Sequence, residues 1–163
     1  MRRAALLMSA AALVLGVGTA SAQGKSFEGK WTLVPDAAAP PAGGRGGGFG
    51  GLGPEVTITQ DAKTLTTTRT TPNGEVKAVY NLDGSESKNS AAGRGGAMTE
   101  SVSKAKWDGD KLVITTTSNF NGTPVERSMT LMYDSMGMLS VEATNPGRGG
   151  GAPTTTKQMY KKG

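Results

Sequence analysis

After the N-terminal stretch, hydrophobic and polar residues alternate with a period of two in short runs. Threonine is frequent in these runs, whereas the helix-favouring residues alanine and leucine are sparse. This pattern is typical of antiparallel β-structure. It predicts nine strands, at 26–34, 55–60, 64–71, 75–82, 98–107, 111–120, 125–133, 138–144 and 154–161.

Short turn sequences separate most of the runs. Asp108-Gly109-Asp110 and Asn121-Gly122, for example, supply the positive backbone φ that tight hairpins need. Strands joined by such turns are antiparallel, and a long meander tends to close because closure removes its exposed edges. We therefore predict an all-β fold, an antiparallel up-and-down meander of about nine strands that closes into a barrel.

Three glycine-rich segments interrupt the meander and are predicted to be flexible loops of the barrel domain, at 35–54, 84–97 and 145–153. Each contains the string Gly-Arg-Gly-Gly. Such strings are soluble insertions, although glycine amides beside an arginine also suit an anion nest. Nine alternating strands would place the second and third loops at one barrel end and the first at the other.

The N-terminus has the three parts of a secretory signal. Met1-Arg2-Arg3 is basic, the following residues to Val17 are mostly apolar, and Ala20-Ser21-Ala22 is a small-residue cleavage site. The apolar run is too short to span a bilayer permanently. We expect residues 1–22 to be removed, which leaves a single domain over 23–163 in the periplasm or outside the cell.

Two short motifs resemble known barrel families. Gly29-Lys30-Trp31 on the first predicted strand resembles the opening of lipocalins and fatty-acid-binding proteins, and Gln158-Met159-Tyr160 is similar to the last strand of the latter group. The chain looks like a small exported bacterial lipocalin-like (calycin-type) protein, which implies a lipocalin-like barrel and little about activity. It departs from the fatty-acid-binding group in two ways. Gln158 stands where those proteins have a carboxylate-binding arginine, and a glycine-rich loop replaces their two helices.

Strand alternation also assigns an inner face to each strand. Arg69 and Arg127 fall in phase with the apolar residues of their strands. An inward arginine is costly to bury unless it meets a carboxylate, a ligand or water. In the functional interpretation they bind an anionic head group, and in the alternative they lie near strand ends and reach water. The candidate ligand-binding residues are Arg69, Arg127, Tyr80, Tyr133, Tyr160 and Trp31.

Composition excludes several kinds of chemistry. The chain has no histidine and no cysteine, so it lacks the commonest general base, disulfides and the preferred zinc and copper ligands. We predict no catalytic residues, no metal and no cofactor. Removal of Arg2 and Arg3 with the signal lowers the formal charge from +5 to +3, and the basic residues along the strands are scattered singly, which does not indicate nucleic-acid binding. The predicted outer faces are rich in threonine, lysine and serine, which argues against a membrane-spanning barrel.

Together these features predict a monomeric exported binding protein, not an enzyme. It would hold a small amphipathic ligand inside the barrel, with an anionic head group if the arginines point inward. The alternative is a non-enzymatic protein-interaction or envelope-associated module with a packed interior. Large residues such as Trp31, Trp107 and Met129 would favour the alternative if they fill the barrel.

Overall fold

The computed structural model describes residues 25–35, 51–71, 74–92, 98–120, 122–147 and 151–163. Within these residues the backbone forms ten β-strands and no helix. The strands are β1 (Gly29–Val34), β2 (Glu55–Gln60), β3 (Thr64–Thr71), β4 (Gly74–Asn81), β5 (Glu86–Ala92), β6 (Met98–Asp108), β7 (Lys111–Phe120), β8 (Thr123–Tyr133), β9 (Leu139–Asn145) and β10 (Thr154–Lys162). The structure confirms the predicted all-β fold class.

The ten strands form one antiparallel sheet with the order β4-β3-β2-β1-β10-β9-β8-β7-β6-β5. Strands that follow one another in the chain are neighbours in the sheet, except that β4 and β5 form its two edges. The first and last strands pair with each other, from Trp31 opposite Lys162 to Val34 opposite Met159. The two edge strands also lie side by side, so the sheet nearly closes into a barrel. This confirms the up-and-down topology.

The predicted count of about nine strands is one too low. The additional strand, β5, lies within the segment 84–97 that we expected to be a loop. Its sequence contains no large apolar residue. Its inner face packs against the buried, polar Ser103 of β6. Ser87 is buried there, and its hydroxyl donates a hydrogen bond of 3.2 Å to the Ser103 carbonyl oxygen. A strand that faces serine does not show the alternation from which strands are predicted.

The additional strand changes the ends at which the glycine-rich segments emerge. The strands on either side of each Gly-Arg-Gly-Gly string, β1 and β2, β5 and β6, and β9 and β10, are connected at one end of the barrel, here called the upper end, where β1, β5 and β9 finish. The prediction that the first string lies opposite the other two is therefore wrong, because five strands rather than four precede the second string. The arginines of the three strings, Arg45, Arg94 and Arg148, lie outside the described residues.

The barrel interior changes character along its axis. Large apolar side chains fill the lower half, where β1 begins, and the fully buried ones include Phe27, Trp31, Ile58, Leu65, Leu112, Ile114, Leu131 and Leu139. Towards the upper end the inner face becomes polar, with Thr67, Ser103 and Ser118 buried. The candidate site lies where these two halves meet.

In the part of the chain that the structure describes, no helix has the length and hydropathy needed to cross a membrane.

Candidate functional site

Arg69 lies on the inner face of β3, in phase with the buried residues Leu65 and Thr67. Its side chain is half-buried, and its Nη1 donates a hydrogen bond of 3.2 Å to the Gly51 carbonyl oxygen. The three ion pairs of the described residues all join lysines to carboxylates on the surface, and none includes Arg69. The positive charge of Arg69 is thus held inside the barrel opposite a neutral carbonyl.

Tyr160, on β10, reaches the same place from another wall of the barrel. Its hydroxyl donates a hydrogen bond of 3.0 Å to Gln158 Oε1 and accepts one of 3.2 Å from the Leu52 amide. Burial raises the pKa of Tyr160 to about 12, although the Leu52 hydrogen bond and the charge of Arg69 act in the opposite direction. The phenol is therefore neutral at physiological pH, and its proton is donated to Gln158 Oε1.

Tyr80, on β4, completes the polar group. Burial raises its pKa, while a hydrogen bond with the Thr67 side chain and the positive charge of Arg69 oppose that rise. Arg69 and Tyr160 meet at one point of the barrel, and the charge of Arg69 also acts on Tyr80, which pairs with Leu65 further down the wall. We call the set Arg69, Tyr80, Tyr160 and Gln158 the Arg69 cluster.

Residues Gly51-Leu52, here called the plug, occupy this point. The Leu52 side chain is only 4% exposed, although the residue lies in a segment predicted to be a flexible loop. A Cβ at Gly51 would overlap Gln158 Oε1, so this close approach requires glycine. Just beyond the plug, the Pro54 carbonyl accepts a hydrogen bond of 2.8 Å from the Leu33 amide and fixes the segment to β1.

Arg127 lies on a different wall. It projects from the inner face of β8, which is separated from β3 by four strands in the sheet order. Its Nη1 donates a hydrogen bond of 3.0 Å to the nearly buried Ser118 hydroxyl, and burial lowers the pKa of the guanidinium. Thr116 lies opposite Arg127 in the ladder, and its hydroxyl is 2.9 Å from that of Ser103. This wall is a second polar surface inside the barrel.

Trp31 and Tyr133 lie apart from both arginines, in an aromatic group at the lower end. The Trp31 indole donates a hydrogen bond of 2.8 Å to the Phe27 carbonyl, and the Tyr133 hydroxyl donates one of 2.7 Å to the Ser26 carbonyl. The Phe27 ring lies 5.7 Å from the Trp107 ring and 5.2 Å from the Tyr133 ring, between centroids. These two predicted site residues therefore hold the N-terminal residues against the barrel.

Sequence reasoning did not find the plug or assign a role to Gln158. The only available signal was a single apolar residue, Leu52, between the glycines Gly51 and Gly53 of a glycine-rich segment. A lone leucine in such a context has no periodicity from which its burial can be inferred.

A groove of about 560 Å³ lies along β5 to β8. Most of its lining projects from the outer face, including Lys88, Glu100 and Glu126, and the Glu86–Lys104 ion pair of 3.2 Å crosses two of its strands. None of the six predicted ligand-binding residues lines it, although Ser118, the partner of Arg127, does. Among the described residues, no three acidic side chains come together as a metal site would require.

The architecture is consistent with a lipocalin-like (calycin-type) barrel. No protein-family model matches the chain, and a search among curated proteins also finds no match.

Proposed function

We propose that this protein is an exported, non-enzymatic binding protein that holds a small amphipathic ligand in its barrel, with an anionic head group at the Arg69 cluster. The observation that carries the proposal is the plug. An oxygen atom at Arg69 and an apolar side chain beside it already occupy the cluster, and an amphipathic anion offers the same two features.

The chemistry of the cluster favours an anion over the carbonyl that it holds. Hydrogen bonds from a guanidinium to a carboxylate are roughly twice as strong as neutral ones, and the planar guanidinium can form two in parallel. Because its pKa is raised, Tyr160 stays protonated, and its hydroxyl can turn from Gln158 Oε1 to donate to the same head group. The apolar lower half of the barrel begins directly beside these donors.

The binding test uses the mature protein and octanoate in isothermal titration calorimetry, with octanol as the uncharged comparison. Arg69→Met removes the charge and keeps most of the side-chain length. A charge-assisted hydrogen bond contributes about 1.5–3 kcal/mol, so we expect octanoate binding to weaken by about tenfold or more. Lys77→Met makes the same charge change on the outer face of β4 and should leave binding unchanged.

Equal affinity for octanol and octanoate, or an unaffected Arg69→Met variant, would refute this site. Loss of binding in Arg127→Met alone would instead place the head group on the β8 wall. Protein for these measurements is prepared from the periplasmic fraction, where the expected processed chain begins at Gln23.

A second candidate function is protein interaction through the outer surface. It is favoured by one observation, which is that each of the six predicted ligand-binding side chains already makes a hydrogen bond within the chain. The groove along β5 to β8 is the surface that such a module would use. If octanoate does not bind and the Arg69→Met variant folds normally, this candidate replaces the first.

A further inference from the structure

We propose that the plug is a displaceable internal ligand of the Arg69 cluster, and that the external ligand is a short aliphatic carboxylic acid of about leucine size that takes its place. The inference rests on the proposed function, which it extends by naming the ligand class and the way in which the site is controlled. Four features of the described residues support it.

The first feature is the position of the plug's polar atoms. The Gly51 carbonyl oxygen lies 3.2 Å from Arg69 Nη1, and the Leu52 amide nitrogen lies 3.2 Å from the Tyr160 hydroxyl. Both groups of the cluster thus meet one peptide unit of the chain. A carboxylate of similar size can accept from Arg69 with one oxygen. Its other oxygen can accept from the Tyr160 hydroxyl once that hydroxyl turns its proton away from Gln158 Oε1.

The second feature is the size of the apolar part. Leu52 is the plug's only large apolar side chain, and it is almost completely buried. Gly51 approaches Gln158 so closely that no side chain fits between them. The space beside Arg69 therefore matches one branched aliphatic group, which selects a short or branched acyl chain over a long one.

The third feature is how the plug is attached. Pro54, on the C-terminal side of the plug, is fixed to β1 by the Leu33 hydrogen bond, and neither Gly51 nor Leu52 belongs to a strand. Gly53, between the plug and Pro54, has a φ of +88°, which glycine adopts readily. The chain can therefore rotate at Gly53 and release Leu52 without breaking a strand pair.

The fourth feature is the charge difference between the two occupants. The plug offers Arg69 a neutral carbonyl, and a carboxylate offers it a full negative charge. Against this, the plug is tethered and competes at a high effective concentration. The expected result is a weak, exchangeable site whose apparent affinity is reduced by the fraction of molecules in which the plug is bound.

The test uses the absence of cysteine from the natural chain. Leu52→Cys introduces a single thiol whose rate of reaction with dithiobis(nitrobenzoate) reports exposure of the plug, with isocaproate as the probe acid. We expect the labelling rate to rise by about tenfold or more at saturating isocaproate. This rise corresponds to a tenfold shift of the plug from its bound to its released position. The uncharged isocaproamide can make the plug's two hydrogen bonds but lacks the charge, so it should raise the rate much less than isocaproate. Leu112→Cys, a buried thiol on β7, should stay protected throughout and so exclude general unfolding.

A second variant measures the same competition without a thiol. Leu52→Ala weakens the plug and should bind isocaproate several-fold more tightly than the natural chain in calorimetry, whereas a purely structural leucine would leave binding unchanged or weaken it. If isocaproate binds but the thiol of Leu52→Cys remains protected and Leu52→Ala binds no more tightly, the plug is not displaced and only the proposed function survives. If isocaproate binds neither protein but octanoate binds through Arg69, the short-acid proposal is refuted and the proposed function survives. If neither acid binds, the Arg69 site itself is refuted. Binding to Leu52→Ala alone would support the plug as a competitor.

Discussion

Tyr160 illustrates how a single inner residue connects distant parts of the chain. Its side chain is fully buried, yet its hydroxyl makes hydrogen bonds both to Gln158 on its own strand and to Leu52 in the plug. Burial makes ionisation of this phenol unfavourable, since a phenolate would lose its hydration. The neutral form is therefore part of the folded state.

This burial predicts a loss of stability at high pH. The pKa of Tyr160 is raised from 10.0 to about 12 in the folded protein. Below pH 10 the folded and unfolded states are both protonated, so the stabilisation is complete. Between pH 10 and pH 12 the unfolded state loses its proton and the folded state does not, so the free energy of unfolding should fall as pH rises.

The measurement is urea denaturation of the natural chain and of Tyr160→Phe across this pH range. Tyr160→Phe should be less stable at pH 7, because it loses both hydrogen bonds, at about 0.5–1.5 kcal/mol each. Its stability should then decline less steeply above pH 10 than that of the natural chain. Parallel pH profiles for the two proteins would show that Tyr160 ionises as readily folded as unfolded.

At the residue scale, the sequence predicts which side chains of a strand face the barrel interior. It does not predict the hydrogen-bonding partners of those side chains. Alternation places Arg69 and Tyr160 on inner faces, as the structure does. Their hydrogen-bonding partners, Gly51 and Leu52, lie in a segment without periodicity. Whether an inward arginine meets a ligand, water or its own chain depends on such segments, and nothing in the strand pattern encodes it.

At the scale of strands, the seam between β4 and β5 is closed by side chains. The Val79 amide donates a hydrogen bond of 2.8 Å to Asn89 Oδ1, and Asn89 Nδ2 donates one of 2.9 Å to the Val79 carbonyl. Asn81 Nδ2 donates a further bond of 3.0 Å to the Glu86 carbonyl. The Asn89 carboxamide thus makes hydrogen bonds to the Val79 amide and carbonyl, as the backbone of a neighbouring strand would.

We expect Asn89→Ala to weaken this seam. The variant leaves the Val79 amide and carbonyl without their partner, which costs about 1–3 kcal/mol if water does not replace it. Hydrogen exchange at the Val79 amide should accelerate by about tenfold or more, as a loss of this size implies. Ser90→Ala, a change on the same strand, is the matched control. Unchanged exchange in β4 would show that the seam is held by other contacts.

The same seam explains why β5 was the strand that sequence reasoning missed. Its residues pair with β6 from Glu86 opposite Lys104 to Ala92 opposite Met98, and Asn89 joins it to β4. Both stabilising contacts come from other parts of the chain. The remaining nine strands carry their own signal, because each presents apolar residues to the core. β5 forms a strand because of its contacts with β4 and β6. Its presence moves every later connection to the barrel end opposite the predicted one.

At the scale of the whole molecule, different residues cover the two ends of the barrel. Among the described residues, the plug covers the Arg69 cluster at the upper end with one leucine and a few hydrogen bonds. The lower end is closed by the residues that precede β1, with Phe27 fully buried and packed against Trp107 and Tyr133. The plug and this lower closure share no residue, so displacement of the plug need not disturb the lower closure.

The lower closure is compatible with the cleavage site proposed before Gln23. Cleavage before Gln23 keeps Phe27, whose amide donates a hydrogen bond of 3.0 Å to Gln60 Oε1 and whose carbonyl accepts from Trp31. A chain cut beyond Phe27 would lose both contacts together with the buried ring. We therefore expect Phe27→Ala to lower the free energy of unfolding by about 3–5 kcal/mol, the usual cost of removing a buried phenylalanine.

Urea denaturation of Phe27→Ala beside Glu28→Ala measures this closure, because Glu28 is the exposed neighbour of the same segment. Glu28→Ala should change stability by no more than about 0.5 kcal/mol. Octanoate binding at the Arg69 cluster should survive in Phe27→Ala at temperatures where the variant remains folded, since the two ends are closed by separate residues. Equal stability of the two variants would mean that the aromatic group does not support the barrel, and loss of octanoate binding in folded Phe27→Ala would show that the two ends are coupled.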